Sequence, residues 1–201
     1  MTWNFLYFTG MLINNLWEKV SFYHPLSAES REAWGNIITS RTYKRNETLV
    51  MEGQVPRLVA FVQKGLFSQY YTAPNGDVII KRFFPETYLA ASVSALLTKS
   101  PSQFTIRALE NTAVLEYPFE EFKKLTTMYP DMAALYIRYL EIHWVLEKEP
   151  QEISLRYDTA KSRYAAFLEQ FPTLESRLKQ HEIASYLGIT PTQLSRIRAE
   201  L

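Results

Sequence analysis

At 201 residues the chain has room for one or two domains, and a hydrophobic content of 47% is enough to bury real cores. It contains no cysteine, which excludes disulfides, thiolate metal sites and cysteine-ligated iron–sulfur clusters and fits a reducing cytoplasm, the expected location. The 22 basic and 21 acidic residues leave a net charge of +1, so no strong field of one sign points to a polyanionic partner.

Met1 to Met11 is aromatic and apolar but lacks a basic leader, a long apolar run and a small-residue cleavage site, so neither a signal peptide nor a membrane span is expected there. From about Leu12 to Asn36 the pattern is helical, with Leu16, Val20 and Phe22 before Pro25, and Ser27 positioned to cap a second short helix through Trp34. Between Thr42 and about Pro118 the signal changes to short β-rich runs: LVAFVQ, LFSQYYT, DVIIKRFF and TAVLEYP. Glu52-Gly53, Lys64-Gly65 and Pro74-Asn75-Gly76-Asp77 punctuate them as turns, which predicts an antiparallel barrel or sandwich. Glu86, Glu110 and Glu116 are expected to solvate strand ends.

After Phe119 the chain reads as helix. Tyr129-Pro130-Asp131 opens a long segment with too many apolar residues for a solvated helix, among them Met132, Leu135, Ile137, Tyr139, Leu140, Ile142, Trp144, Val145 and Leu146. One face is expected to pack on the barrel and another on a partner chain. Pro150 should kink or end this helix near Glu149. A further helical segment, Asp158 to Gln170, leads through Phe171-Pro172 to the C-terminal stretch.

That stretch, QHEIASYLGITPTQLSRIRAEL from Gln180 to Leu201, follows the pattern of a helix-turn-helix. Ala184 is small enough for a helix crossing, and Gly188 supplies the turn. Ile183, Leu187, Ile189, Leu194 and Ile197 are the apolar lock, while Thr190 and Pro191 are suited to N-cap and first helical position. The second helix then directs Thr192, Gln193, Ser195, Arg196 and Arg198 away from the apolar side, where hydroxyl, amide and guanidinium groups can contact base edges and phosphates. Residues 161–201 carry six cations against four carboxylates, an excess that permits nucleic-acid binding without demanding it.

The order of parts resembles the Crp/Fnr family of bacterial transcription regulators. The residues that carry the resemblance are Phe22, Pro25-Leu26-Ser27, the turn glycines Gly53, Gly65 and Gly76, Tyr129-Pro130-Asp131, and Ile183 to Ile197. The resemblance implies an α+β fold: an N-terminal antiparallel β-roll of the cyclic-nucleotide-binding jelly-roll type, a long dimerisation helix, and a C-terminal winged-helix-like helix-turn-helix. The corresponding divisions are 1–128, 129–157 and 158–201. The sequence ends at Leu201 on the recognition helix, so a complete wing is not expected, and loss of its phosphate contacts should lower affinity and salt dependence. The resemblance further implies a homodimer through the long helix, a roughly palindromic double-stranded DNA site and RNA polymerase as a partner, with no membrane role. Arg196 is the residue expected to read a base, guanine by preference; Thr192 and Gln193 assist, and Thr190 orients the helix start or binds phosphate.

The ligand chemistry of the family departs here. Its nucleotide cassette carries a Gly-Glu pair and an Arg followed by a small residue, which together hold the cyclic phosphate and ribose. Aligned by hand, those positions fall near Ala90-Ala91 and Ser102-Gln103. Tyr88, Ala90, Ala91, Ser102 and Gln103 therefore define a degenerate pocket without carboxylate or cation. Burying an anion without a charged partner costs several kcal/mol, so cyclic AMP is not expected as effector. Arg107 reads as structural, and Arg82 and Lys99 are the cations that could substitute.

Other chemistries find no residues to carry them. Haem or metal would fall to His24, His143 and His181, too scattered for one site, so no cofactor is expected and the effector is left unidentified. No P-loop, Gly-x-Ser-x-Gly elbow or zinc-protease motif is present, and the predicted strands contain no histidine, which argues against an enzyme. The alternative to a DNA reader is a regulator-like small-molecule-binding or protein-interaction module that does not bind DNA on its own.

Overall fold

The computed structural model describes residues 13–200; the reading of Met1–Met11 lies outside them. The chain divides into two compact units, one formed by Met1–Gln69 with Phe83–Glu141 and the other by Tyr70–Arg82 with Ile142–Leu201.

In the first unit, residues 13–21 form helix α1 and Ala28–Gly35 form α2. Ser27 caps α2 as its composition predicts: its Oγ accepts from the Ser30 N–H at 3.1 Å. Between residues 39 and 118 the strands form two four-stranded sheets. β1 (Thr39–Tyr43), β8 (Thr112–Pro118), β3 (Leu58–Lys64) and β6 (Leu89–Ala90) make one sheet in the order β1-β8-β3-β6. β2 (Thr48–Val50), β7 (Thr105–Ala108), β4 (Phe67–Thr72) and β5 (Val78–Phe84) make the other in the order β2-β7-β4-β5. The fold is thus the α+β roll that the residue order implies.

Strand alternation explains the two cores. Ala60, Val62 and Val114 point between the sheets and join Tyr43, Phe67, Phe84, Ala90 and Ile106 in one buried cluster. The neighbours on the opposite face, Phe61, Leu115 and Tyr117, are buried too, because helices cover that side. Trp34 of α2 meets Tyr117 at a centroid distance of 5.3 Å and Phe122 at 4.9 Å, the spacing of offset or edge-on aromatic pairs. Phe122 lies on α4 (Phe119–Met128), and α5 (Pro130–Leu140) packs beside it through Met132 and Leu135.

Two segments singled out in the sequence are joined by one side chain. Asp131 Oδ2 accepts from the Ser27 N–H at 2.8 Å, and Oδ1 accepts from the Ser30 hydroxyl at 2.6 Å and the Met132 N–H at 2.9 Å. Partial burial pushes this carboxyl up, but the bonds from Ser27, Ser30 and Met132 outweigh it and hold the group below its usual value.

Several expectations need correction. The strand-rich stretch also contains a short helix, α3 (Val93–Thr98), too brief to show a helical period. Glu116 does not solvate a strand end: it is 4% exposed and accepts a hydrogen bond from the Tyr43 hydroxyl. Burial, and next the Glu116 carboxylate, push the Tyr43 phenol well above its ordinary value. Glu86 is likewise engaged, accepting from the Gly65 N–H at 2.8 Å. Phe22 is 73% exposed, so it belongs to a turn surface and not to the core face of α1.

The long helical segment is interrupted upstream of where Pro150 suggests. A π-helical stretch, Glu141–Leu146, ends in an i to i+5 bond from the Glu147 N–H to the Ile142 carbonyl at 2.9 Å, and α6 then runs Lys148–Tyr157 with Pro150 in its first turn. Proline lacks the N–H that would reach the Leu146 carbonyl, so the register changes before it and the ring is tolerated near a new helix start. In the second unit, α7 (Ala160–Gln170), α8 (Gln180–Leu187) and α9 (Pro191–Ala199) complete the chain. The Ser185 hydroxyl of α8 donates to the Val78 carbonyl at 2.7 Å and accepts from the Ile80 N–H at 2.9 Å.

Candidate nucleic-acid interface

The helix-turn-helix is built as its residue types predict. Gly188 ends α8 at φ +66°, in the left-handed region that favours glycine. Thr190 and Gln193 form a reciprocal capping box: Thr190 Oγ1 accepts from the Gln193 N–H at 3.1 Å, and Gln193 Oε1 accepts from the Thr190 N–H at 2.9 Å. Pro191 occupies the first turn of α9, where no amide hydrogen is needed. Ile183, Ala184, Leu187, Leu194 and Ile197 are buried. Ile189 is the exception in the expected lock, being half-buried because it lies in the turn beside Gly188.

Thr190, Thr192, Gln193, Ser195 and Arg196 are all exposed. Arg196 lies about 200° around the helix from buried Leu194 and has no polar partner among the described residues. Arg198 does not share that face. It lies only about 40° from Leu194, and its Nε donates to the Tyr164 hydroxyl at 3.1 Å while its Nη2 reaches Glu175 Oε1 at 3.1 Å.

Two residues that the sequence pattern did not single out hold this unit together. Arg163 Nε donates to the Leu187 carbonyl at 3.1 Å, capping α8 from α7. Gln180 Nε2 donates to the Pro191 carbonyl at 2.7 Å and so joins the starts of α8 and α9. An arginine and a glutamine on solvated helices carry no local signal for such distant partners.

In the β-roll, three of the five expected cassette positions are buried. Ala90 is fully buried in the inter-sheet cluster with Tyr88 packed against it, and Ala91 is also buried. Ser102 is 2% exposed; its hydroxyl lies 2.9 Å from the Ser92 hydroxyl and donates to the Phe104 carbonyl at 2.7 Å. Gln103 is exposed. The candidate substitute cations are paired: Lys99 with Glu120 at 3.0 Å and Arg82 with Glu147 at 3.7 Å. Among the described residues no His, Asp or Glu cluster could hold a metal ion, and His143 Nδ1 lies 2.7 Å from Glu147 Oε2. No described helix is long and apolar enough to cross a membrane.

Comparison with known proteins agrees with this architecture. Residues 40–129 match the cyclic nucleotide-binding domain family. Over 186 residues the chain is 25% identical to the transcriptional activator protein FnrA of Stutzerimonas stutzeri, covering 86% of this chain and 74% of that protein. It is 26% identical over 184 residues to the transcriptional activator protein Anr of Pseudomonas protegens, with the same two coverages. Among solved structures, FixK2 from Bradyrhizobium japonicum superposes with a TM-score of 0.70 at 19% identity, covering 82% of this chain and 84% of that one. FnrA and Anr are transcriptional activator proteins, and each alignment spans most of this chain. With its two-sheet roll, interrupted long helix and capped helix-turn-helix, the chain is similar to these proteins in fold and resembles the Crp/Fnr type of transcriptional regulator.

Proposed function

We propose that the protein reads a roughly palindromic double-stranded DNA site as a homodimer in the cytoplasm, and does so without cyclic AMP. The observation that carries the reading is Arg196, exposed and unpaired among the described residues on the same helix as exposed Thr192, Gln193 and Ser195. An unpaired guanidinium suits bidentate contact with a guanine edge in the major groove, and the neighbouring hydroxyls and amide suit phosphates or other base edges. Thr190 spends its side chain on the helix cap, so it orients α9. Exposed Val145, Leu146, Ile153 and Leu155 along residues 145–157 supply apolar surface for a second copy. Two-fold pairing would present two recognition helices to half-sites about 34 Å apart. Against cyclic AMP stands the cassette, where the Ser92 and Ser102 hydroxyls bond to each other and the aligned positions Ala90, Ala91, Ser102 and Gln103 carry neither carboxylate nor cation.

Selection of bound fragments from random duplexes at fixed salt, with and without cyclic AMP, tests this. A two-fold-symmetric site is expected in both arms, and Arg196→Ala should cost roughly 1–3 kcal/mol and relax preference at one base pair. Recovery only with cyclic AMP would overturn the reading of the cassette. No enrichment in either arm would favour the protein-interaction alternative.

A further inference from the structure

Arg198 lies one turn beyond Leu194 on α9, and the groups around it form a closed triangle. Its Nε donates to the Tyr164 hydroxyl at 3.1 Å, the Tyr164 hydroxyl donates to Glu175 Oε1, and Arg198 Nη2 meets that same carboxylate oxygen at 3.1 Å. The guanidinium also lies 5.8 Å from the Tyr164 ring centroid. Tyr164 is on α7 and only 2% exposed, Glu175 is in the turn between α7 and α8, and Arg198 is near the end of α9. One triangle therefore ties the far end of the recognition helix to two other elements. The near end is held separately, by the Gln180 bond to the Pro191 carbonyl.

We propose that Arg198 is a positioning residue of the reading head and not a DNA contact, setting the pitch of α9 so that Thr192 and Arg196 meet base edges. This rests on the DNA-reading function argued above. A guanidinium already shared between a phenol and a carboxylate would have to break both bonds to reach a phosphate, and Glu175 would repel that phosphate. Arg196, two residues away on the opposite face, meets neither obstacle. Arginine is required at 198 because its planar fork serves two acceptors at once, which a lysine ammonium on a flexible stem does not reproduce.

The test uses the full chain and the site recovered by selection. Dissociation constants for that site and for a scrambled duplex are measured over a salt series for wild type, Arg198→Ala, Arg198→Lys, Glu175→Gln and Tyr164→Phe, with thermal melts to confirm folding. Arg198→Ala and Arg198→Lys should both lower the ratio of specific to non-specific affinity by about tenfold, equivalent to about 1.4 kcal/mol, with the salt slope unchanged. Glu175→Gln and Tyr164→Phe should move the ratio in the same direction, and they carry the test if the Arg198 variants do not fold. A salt slope lower by about 0.9 in Arg198→Ala and restored in Arg198→Lys would mark a phosphate contact and overturn the proposal. Reduced melting temperature with an unchanged specificity ratio would overturn it as well, leaving only a stabilising role. If wild type selects no site, the DNA-reading function itself falls; if wild type selects one and only these variants behave otherwise, the positioning role alone falls.

Discussion

The cassette of the β-roll and the recognition helix share a means of construction and differ in what they leave open. Both use a hydroxyl that bonds to nearby backbone: Ser102 Oγ with Phe104 in the cassette stretch, and Thr190 Oγ1 with the Gln193 N–H at the start of α9. In the roll, the polar side chains are turned on one another: Ser92 with Ser102, Tyr43 with Glu116, and Asp131 with Ser27 and Ser30. On α9, Arg196, Thr192 and Ser195 face solvent, and the bonds that shape the helix are made at its ends. Within one chain, Ser92 and Ser102 thus bond to each other while Arg196 has no polar partner among the described residues. Buried hydroxyl pairs stabilise by satisfying each other, whereas an exposed guanidinium adds little to stability and is free to bind.

If the polar groups of the roll serve its stability and those of α9 serve binding, substitutions should separate accordingly. The largest effect is expected at Gly65, where φ is +111° and a Cβ would stand 2.5 Å from Thr112 Oγ1 and 2.6 Å from Thr112 Cα. Gly65→Ala should destabilise the roll by about 3 kcal/mol or more, read by denaturant unfolding. Gly76→Ala is the matched control, because a Cβ there meets nothing within 4 Å and only the left-handed backbone costs about 1–2 kcal/mol. Equal losses at the two glycines would refute the close approach.

Next comes Asp131→Ala, which leaves the Ser27 N–H and Ser30 hydroxyl without their acceptor and should cost about 1.5–3 kcal/mol at neutral pH. Because the folded state holds this carboxyl below its usual 3.8, its contribution is present above that pH and is lost as pH falls through the lower folded-state value. Melting curves of wild type and variant should therefore converge in acid; a constant gap would mean the charge is not what stabilises. Thr190→Ala removes one half of the capping box and should cost about 1 kcal/mol, measured as loss of helical circular dichroism from the C-terminal unit on mild heating. The smallest stability effect is expected for Arg196→Ala, within about 0.5 kcal/mol, although it should weaken DNA binding most directly. A large drop in melting temperature for that variant would break the contrast between the two regions.

Much of this division is written locally. Gly188, Thr190 and Pro191 specify the turn and helix start by backbone preference alone, and the short β-rich runs LVAFVQ and TAVLEYP, set off by turn signals, specify strands. Other features depend on partners remote in sequence. Glu116 lies in a strand where its period gives the side it faces but not the Tyr43 hydroxyl waiting there. Arg198 belongs to the same polar run as Arg196, yet two residues on a helix turn it toward Tyr164 and Glu175. The π-helical stretch before Pro150 is a compromise between the missing amide and the surrounding helix, so the proline marks the disturbance without locating it.

By itself the sequence determined the α+β order of parts, the caps and turns, and the exposure of Thr192, Gln193, Ser195 and Arg196 on α9, because each follows from residue type and spacing over a few positions. Only the tertiary structure decided which polar groups are spent internally: Asp131 on Ser27 and Ser30, Glu116 on Tyr43, and Arg198 on Tyr164 and Glu175. Those pairings join residues as many as 104 positions apart, and a hydrogen bond at such range is set by packing of whole elements, which no local pattern encodes.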